Sequence, residues 1–238
     1  MIKYHPEQSQ LTQFVQGNIS PAEALIVSAH CDLCHRCRQF VQHKTQLIAA
    51  EVFDTPQPKD SLENYGAMLA AITQLPASET APAAPDNKLN LSTPEPIATF
   101  TLVKTLELDG HQFTLPPTLQ RIAAKTGNWS GLVGRLWQAP VELNYPGVAN
   151  FIYMGRGGSV PEHTHRGVEY TLVLDGEFND GINNYRTGDF VVMTDDNTHA
   201  PHSEHREGCL VFTLLDEPLH FTSGIARLLN PFSHLFFR

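Results

Sequence analysis

The hydrophobic pattern of the chain changes period part-way along. In the stretch 6–17, Leu11, Phe14 and Val15 fall at helical spacing and the run closes on Gly17, which predicts a short amphipathic helix with a glycine cap. Ser20-Pro21-Ala22-Glu23 then reads as an N-cap, a proline at the first helical position and an acid in the first turn, and so starts a second helix. Its continuation Ala24-Leu-Ile-Val-Ser-Ala-His30 runs into a cluster of cysteines. Beyond the cluster Phe40, Val41, Leu47, Ile48 and Val52 prolong the apolar pattern until Pro56 and Pro58 end it. Leu62, Tyr65, Leu69 and Ile72 form one more helical stripe, predicting a helix over 60–73 with Asp60 or Ser61 as its cap.

The next stretch, Leu75-Pro-Ala-Ser-Glu-Thr-Ala-Pro-Ala-Ala-Pro-Asp86, is rich in proline and alanine and poor in large apolar residues. We read 77–96 as a linker between a helical domain, 1–76, and a second domain, 97–238. A long loop inside one domain is the competing reading, disfavoured because structureless loops of that length are uncommon. Past Ile97 short alternating or apolar segments recur at 99–107, 131–137, 148–154, 168–174, 189–193 and 209–215. Turn pairs separate them: Asp109-Gly110, Asp175-Gly176, Asp180-Gly181 and Thr187-Gly188-Asp189. Many short strands with little helix predict an antiparallel β-sandwich or barrel, so the whole is a multidomain α plus β protein. The tail 217–238 reads as a short helix covering a sheet, serving packing or dimerisation.

Composition narrows the function classes. The 238 residues are 41% hydrophobic, enough for a substantial core, and no apolar run approaches the length of a membrane span. The N-terminus lacks the basic-then-apolar pattern of a signal peptide, so the expected location is the cytoplasm. A net charge of -9 argues against direct nucleic-acid binding and favours a basic protein partner. Three of the four cysteines fall at 31, 34 and 37, too clustered for a disulfide framework and better suited to a metal. Cys209 stands alone and reads as a small core residue.

Two groups of residues have the chemistry of metal ligands. If His30-Cys31-Asp-Leu-Cys34-His35-Arg-Cys37 is helical, His30, Cys34 and Cys37 fall within an arc of about 60°, whereas Cys31, Cys34 and Cys37 spread over about 120°. The first set is therefore favoured. Tetrahedral zinc needs a fourth ligand; His5 can reach the cluster if the preceding helix runs back towards it, with Cys31 and His35 as competitors. Such a closed site is structural. Buried thiols or a reversible Cys34–Cys37 disulfide are the metal-free alternatives.

The second group is His163, His165, Glu169 and His199. A spacing of two sends both imidazoles of one strand to the same face, and Arg166-Gly167 can turn the chain to return Glu169. The turn, strand and loop over 188–201 bring back His199, with His202 as its substitute. Imidazoles with a carboxylate on one side of a divalent ion leave positions open, as in non-haem iron and catalytic zinc sites.

Gly157-x5-His163-x-His165-x3-Glu169-x6-Gly176 followed by Gly188-x10-His199 resembles both motifs of the cupin superfamily, except that Thr194 and Asp196 stand where cupins usually have proline and glycine. His30-x3-Cys34-x2-Cys37 with His5 resembles the zinc-binding anti-sigma domain. The order of the two is similar to that of ChrR-type anti-sigma factors over nearly the whole chain. The resemblance implies a jelly-roll second domain and Zn²⁺ at His5, His30, Cys34 and Cys37. It also implies a divalent metal in the cupin, zinc first, with Fe²⁺, Mn²⁺ and Ni²⁺ as alternatives. The implied partner is a group IV, extracytoplasmic-function-type sigma factor, released under singlet-oxygen or related stress, with a homodimer through the cupin domain as a further association. The competing function is a cupin dioxygenase or hydrolase with an accessory zinc-bound helical domain.

Overall fold

The computed structural model describes residues 1–54, 59–74, 102–108, 110–132, 134–143, 146–217 and 219–222, with the single positions 224, 227 and 230. The expected linker and most of the tail lie outside the described residues. The chain forms two compact units, one of residues 1–44 with 100–238 and one of 45–99.

Helix α1 (Gln8–Gln16) ends where Gly17 takes a left-handed conformation, φ 73°. There the Gly17 and Asn18 amides donate to Phe14 O and Gln13 O, a closing pair that satisfies the last carbonyls. Helix α2 (Pro21–Leu33) starts as predicted, with Ser20 Oγ accepting from Glu23 N at 3.1 Å. One expectation needs correction. The helix does not run unbroken through the cysteine cluster: Cys34 is extended (φ -104°, ψ 104°), and α3 (His35–Asp54) begins after it. Backbone bonds continue across the break, Cys34 N to His30 O at 2.7 Å and Arg38 N to Cys34 O at 3.0 Å, so the chain changes direction at little cost in hydrogen bonds. Helix α4 spans Lys59–Thr73. Leu69 and Ile72 of its stripe are exposed, and the side chains of Leu62 and Tyr65 lie outside the described set. Among the described residues no helix is long and apolar enough to cross a membrane.

The remainder is antiparallel sheet. A hairpin of β1 (Thr105–Leu108) and β2 (His111–Thr114) turns at Gly110 and leads to a one-turn helix, α5 (Pro117–Gln120). Then come β3 (Ser130–Leu132), β4 (Leu136–Pro140), β5 (Val148–Met154), β6 (Gly158–Ser159), β7 (His163–Thr164), β8 (Glu169–Asn179), β9 (Asn184–Arg186), β10 (Phe190–Met193), β11 (Thr198–His199), β12 (His202–Ser203), β13 (Cys209–Leu215) and β14 (His220–Phe221). The main sheet runs β3-β4-β5-β13-β8-β12-β6, with β9 and β10 also paired to β8, and β11-β7-β14 forms a smaller one. The sheets curl into the expected antiparallel barrel.

Two predicted boundaries move. The segment 131–137 is a hairpin, not one strand, because the chain reverses through Gly134 (φ 80°) and Arg135 (φ 59°). Asp175-Gly176 is no turn. Strand β8 passes straight through it, taking up a register shift opposite Leu210 and Val211, and Gly176 sits at φ 77°.

Strands β5, β8 and β13 are apolar on both faces because both are covered. One face, with Ile152, Met154, Val173, Val211 and Leu215, lines the barrel interior. The other, with Phe151, Leu172, Leu210, Phe212 and Leu214, shares a core with Leu11, Ile26, Val27 and Ala29 of α1 and α2. Asp32 Oδ2 accepts from Thr118 N at 2.7 Å at the start of α5, fastening α2 to the barrel.

A Cβ added at Gly176 would run into the Gly208 carbonyl, at a backbone angle that side chains avoid. Gly176→Ala should therefore lower unfolding free energy by roughly 2–4 kcal/mol in urea titrations; a loss below about 1 kcal/mol would mean the β8 bulge is not rigid.

Candidate metal centres

At the N-terminal centre, His5 lies in the segment before α1, His30 in the last turn of α2, Cys34 at the helix break and Cys37 in the first turn of α3. One ligand atom from each falls within 4.8 Å of all the others. His5 Nδ1 is 3.4 Å from Cys34 Sγ and 3.5 Å from Cys37 Sγ. A tetrahedral ion with bonds of about 2.05 Å to nitrogen and about 2.3 Å to sulfur separates the two by about 3.5 Å. The residues fit. His30 is fully buried and makes no well-formed hydrogen bond, only a loose approach to the Gly188 backbone, a cost that a metal–nitrogen bond removes. Cys31 is buried and His35 exposed, and neither joins the cluster.

Electrostatics agree with a cation-dependent site. Burial pulls His30 down to about 4 and lowers His5, where the Arg36 charge acts in the same direction. Burial, with the neighbouring Cys34, pushes the Cys37 thiol up, and raises Cys31 to about 11. The imidazoles are therefore neutral donors, and the Cys37 thiol gives up its proton only to a strong local positive charge.

The barrel centre is built by strand register. His163 on β7 stands directly opposite His199 on β11, and His165 follows two residues on. Gly167 (φ 108°) turns the chain into β8, whose first residue is Glu169. His163, His165, Glu169 and His199 place one ligand atom each within 4.8 Å of the others. His199 Nε2 is 2.9 Å from His163 Nε2 and 3.0 Å from His165 Nε2. Two nitrogens bound at about 2.1 Å stand about 3.0 Å apart at a right angle and about 3.4 Å apart at the tetrahedral angle. Two spacings of the barrel set thus match right-angle edges of an octahedron, unlike those of the N-terminal set. His202 sits on β12 with Nδ1 near Ala200 O at 3.3 Å, so His199 and not His202 reaches the cluster.

The surroundings orient these rings. His163 Nδ1 donates to Pro161 O at 2.8 Å, which leaves the Nε2 lone pair facing inward. His165 Nδ1 is 3.1 Å from Glu169 Oε2, and Thr171 Oγ1 donates to Glu169 Oε1 at 2.7 Å. Glu169 is thus placed to fix the His165 tautomer as well as to offer an oxygen to an ion. Burial pulls His165 to about 4 and His199 to about 3, and raises the Glu169 carboxyl. Where cupins usually carry proline and glycine, Asn197 clamps the loop: its Oδ1 accepts from Thr194 N at 2.9 Å and its backbone N–H donates to Thr194 O at 3.0 Å. Asn197 and Thr171 were not singled out in the sequence, although Asn three residues after Thr is a recognisable turn signal.

Beside the cluster lies a cavity of about 40 Å³, lined by His163, Glu169 and His199 and by apolar residues including Met154, Val191, Met193 and Val211. Thr213 also faces it, with an unpartnered hydroxyl. At roughly 10–15 Å³ per water, this room takes a few waters or a diatomic.

Residues 119–217 match the family model described as the ChrR cupin-like domain. The anti-sigma-E factor ChrR of Cereibacter sphaeroides is 26% identical over 231 residues, covering 97% of this chain and 98% of that protein. The chain resembles ChrR-type anti-sigma factors along its length. A chain of the crystal structure of Rhodobacter sphaeroides SigE in complex with the anti-sigma ChrR shares the fold, at 22% identity, with a TM-score of 0.62, over 91% of this chain and all of that one.

The two centres share no ligand, so they should empty independently. Elemental analysis is expected to find two ions per chain, one after His163→Ala with His199→Ala and one after Cys34→Ala with Cys37→Ala. Loss of both ions from either pair would show that the centres are not separate.

Proposed function

We infer that the protein is an anti-sigma factor, which binds and inhibits a group IV, extracytoplasmic-function-type sigma factor through its helical region and carries a metal-binding cupin domain that governs release. The observation that carries this is the near full-length likeness to ChrR, with a four-residue helical cluster and a four-residue barrel cluster in one chain. A cupin enzyme has no need of the first cluster.

Exposed apolar side chains support a protein partner. Leu47, Val52 and Phe53 on α3 and Met68, Leu69 and Ile72 on α4 are exposed, Phe53 by 83%. A soluble chain does not leave so many large apolar side chains in water without a use. The acidic net charge of -9 suits a partner with basic nucleic-acid-binding faces. Such a partner works in the cytoplasm.

The N-terminal set fits Zn²⁺, whose bonds would hold α2, α3 and the first residues together; the thiols Cys34 and Cys37 are oxidisable and form one candidate switch. The barrel set suits a six-coordinate divalent ion, Fe²⁺, Mn²⁺, Ni²⁺ or a zinc of expanded coordination. Such an ion supplies an open Lewis-acid position. His163, Glu169 and His199 would hold that position against the small cavity, whose apolar wall of Met154, Val191, Met193 and Val211 excludes bulk water. A space of about 40 Å³ is far below the roughly 300–1,000 Å³ of organic-ligand pockets, which favours sensing of a small oxidant over turnover of an organic substrate. Singlet oxygen and peroxides are of that size.

Co-expression with the cognate sigma factor should yield a stable complex. Leu47→Asp, Phe53→Asp and Leu69→Asp together should weaken it about 100-fold, some 2.7 kcal/mol. Because these side chains are exposed, the melting temperature of the free protein should stay within about 2 °C. An unchanged Kd would move the partner face elsewhere; failure to co-purify with any such sigma factor would sink the reading. Full-length protein carrying His163→Ala with His199→Ala should bind the partner yet not release it under photosensitised light, whereas release equal to that of wild type would place the sensor in the helical region.

A further inference from the structure

The extended residues before α1 are held by the barrel. Asp189, at the turn between β9 and β10, is only 2% exposed. Its Oδ1 accepts from Lys3 N at 2.7 Å and from Tyr4 N at 3.0 Å, while Oδ2 accepts from Arg186 N at 2.8 Å. The Phe190 amide returns a bond to Tyr4 O at 3.1 Å. Tyr4 OH donates to Asn183 Oδ1 at 2.9 Å, and its ring lies 4.8 Å from that of Tyr185. Ile2 presses on Gly188 so closely that a Cβ there would stand 2.5 Å from Ile2 Cδ1. The residue after this strap is His5. The same turn reaches the centre from its other side, since the Phe190 ring lies edge-on to His30 with centroids 5.7 Å apart.

We propose that Asp189 is a positioning residue for His5, so that the N-terminal metal centre is complete only while residues 2–4 are docked on the barrel's β9–β10 turn. His30, Cys34 and Cys37 lie within eight positions of one another and are held by α2, α3 and the break between them. His5 comes from no helix. Its place is set by the backbone bonds at Lys3 and Tyr4, which a buried carboxylate fixes more firmly than a neutral acceptor does. Strand β10 carries the consequence onward. It bonds the strap at Phe190 and walls the barrel cavity with Val191 and Met193, the latter opposite Glu169. A shift of β10 at the barrel centre therefore pulls on His5.

The inference rests on metal binding at the N-terminal cluster and not on any partner, so it stands or falls separately from the anti-sigma reading. Full-length protein loaded with Co²⁺ reports this centre alone through thiolate-to-metal charge transfer, because the barrel set contains no sulfur ligand. Asp189→Ala should change that band and speed metal loss to a chromophoric chelator by about 10–100-fold. Asp189→Asn keeps an oxygen for Lys3 and Tyr4 and should stay within a few-fold of wild type. The decisive comparison is non-additivity: His5→Ala with Asp189→Ala should lose metal no faster than His5→Ala alone. Should Asp189→Ala fail to fold, Tyr4→Ala loosens the strap from its own side and should move band and rate in the same direction. Unchanged spectra and rates in the folded single variants, additive effects in the double variant, or no thiolate band in the wild type would each overturn the proposal.

Discussion

Buried neutral donors that can satisfy one another only in part are the constraint around which this molecule is arranged. In the barrel, three imidazole nitrogens converge to 2.9–3.0 Å. In the helical cluster, an imidazole nitrogen meets two sulfurs at 3.4–3.5 Å. A single His199 ring proton cannot serve both neighbours fully, and His5 Nδ1 has one lone pair for two thiols, so acceptors are left over at each focus, while burial holds His30, His165 and His199 uncharged. A cation at each focus turns an unfavourable burial into a set of strong bonds. Helix break, strand register and capping turns all serve to aim these groups.

The two clusters differ in what surrounds them. The helical one closes on four side chains from three segments, with tetrahedral spacing, and so suits holding pieces of chain together. The barrel one has right-angle spacing and faces a small apolar cavity, so it suits contact with something that comes and goes. The barrel sheet links them mechanically. Strands β5, β8 and β13 bury one face around the cavity and the other against α1 and α2, so the barrel wall is also the floor of the helical region. A displacement of the barrel wall is therefore passed directly to α1 and α2, because packed interiors shift as discrete units rather than deforming smoothly.

Much of this was legible in the chain. Helix starts and ends followed from Ser20-Pro21 and Gly17, whose effects are confined to the neighbouring turn. The strands β5, β10 and β13 followed from apolar runs between glycine turns. His163, His165 and Glu169 followed from a period of two and a polar turn, and His30, Cys34 and Cys37 from spacing within one or two helical turns. The helix break at Cys34 was not legible, because the residue that ends α2 is a cysteine with no breaker beside it. Nor was the passage of β8 through Asp175-Gly176, where a pair that usually turns the chain is overruled by pairing to β13.

The sequence by itself determined the ligand types, their local spacing and the order of a helical cluster before a barrel, since these depend on residues a few positions apart. Tertiary structure alone decided that His199 and not His202 completes the barrel centre, that Glu169 braces His165, and that His5 is delivered by a carboxylate 186 residues from Lys3. Those outcomes depend on which strands pair and which loops close. No local pattern encodes a backbone amide meeting a side chain at the far end of the fold.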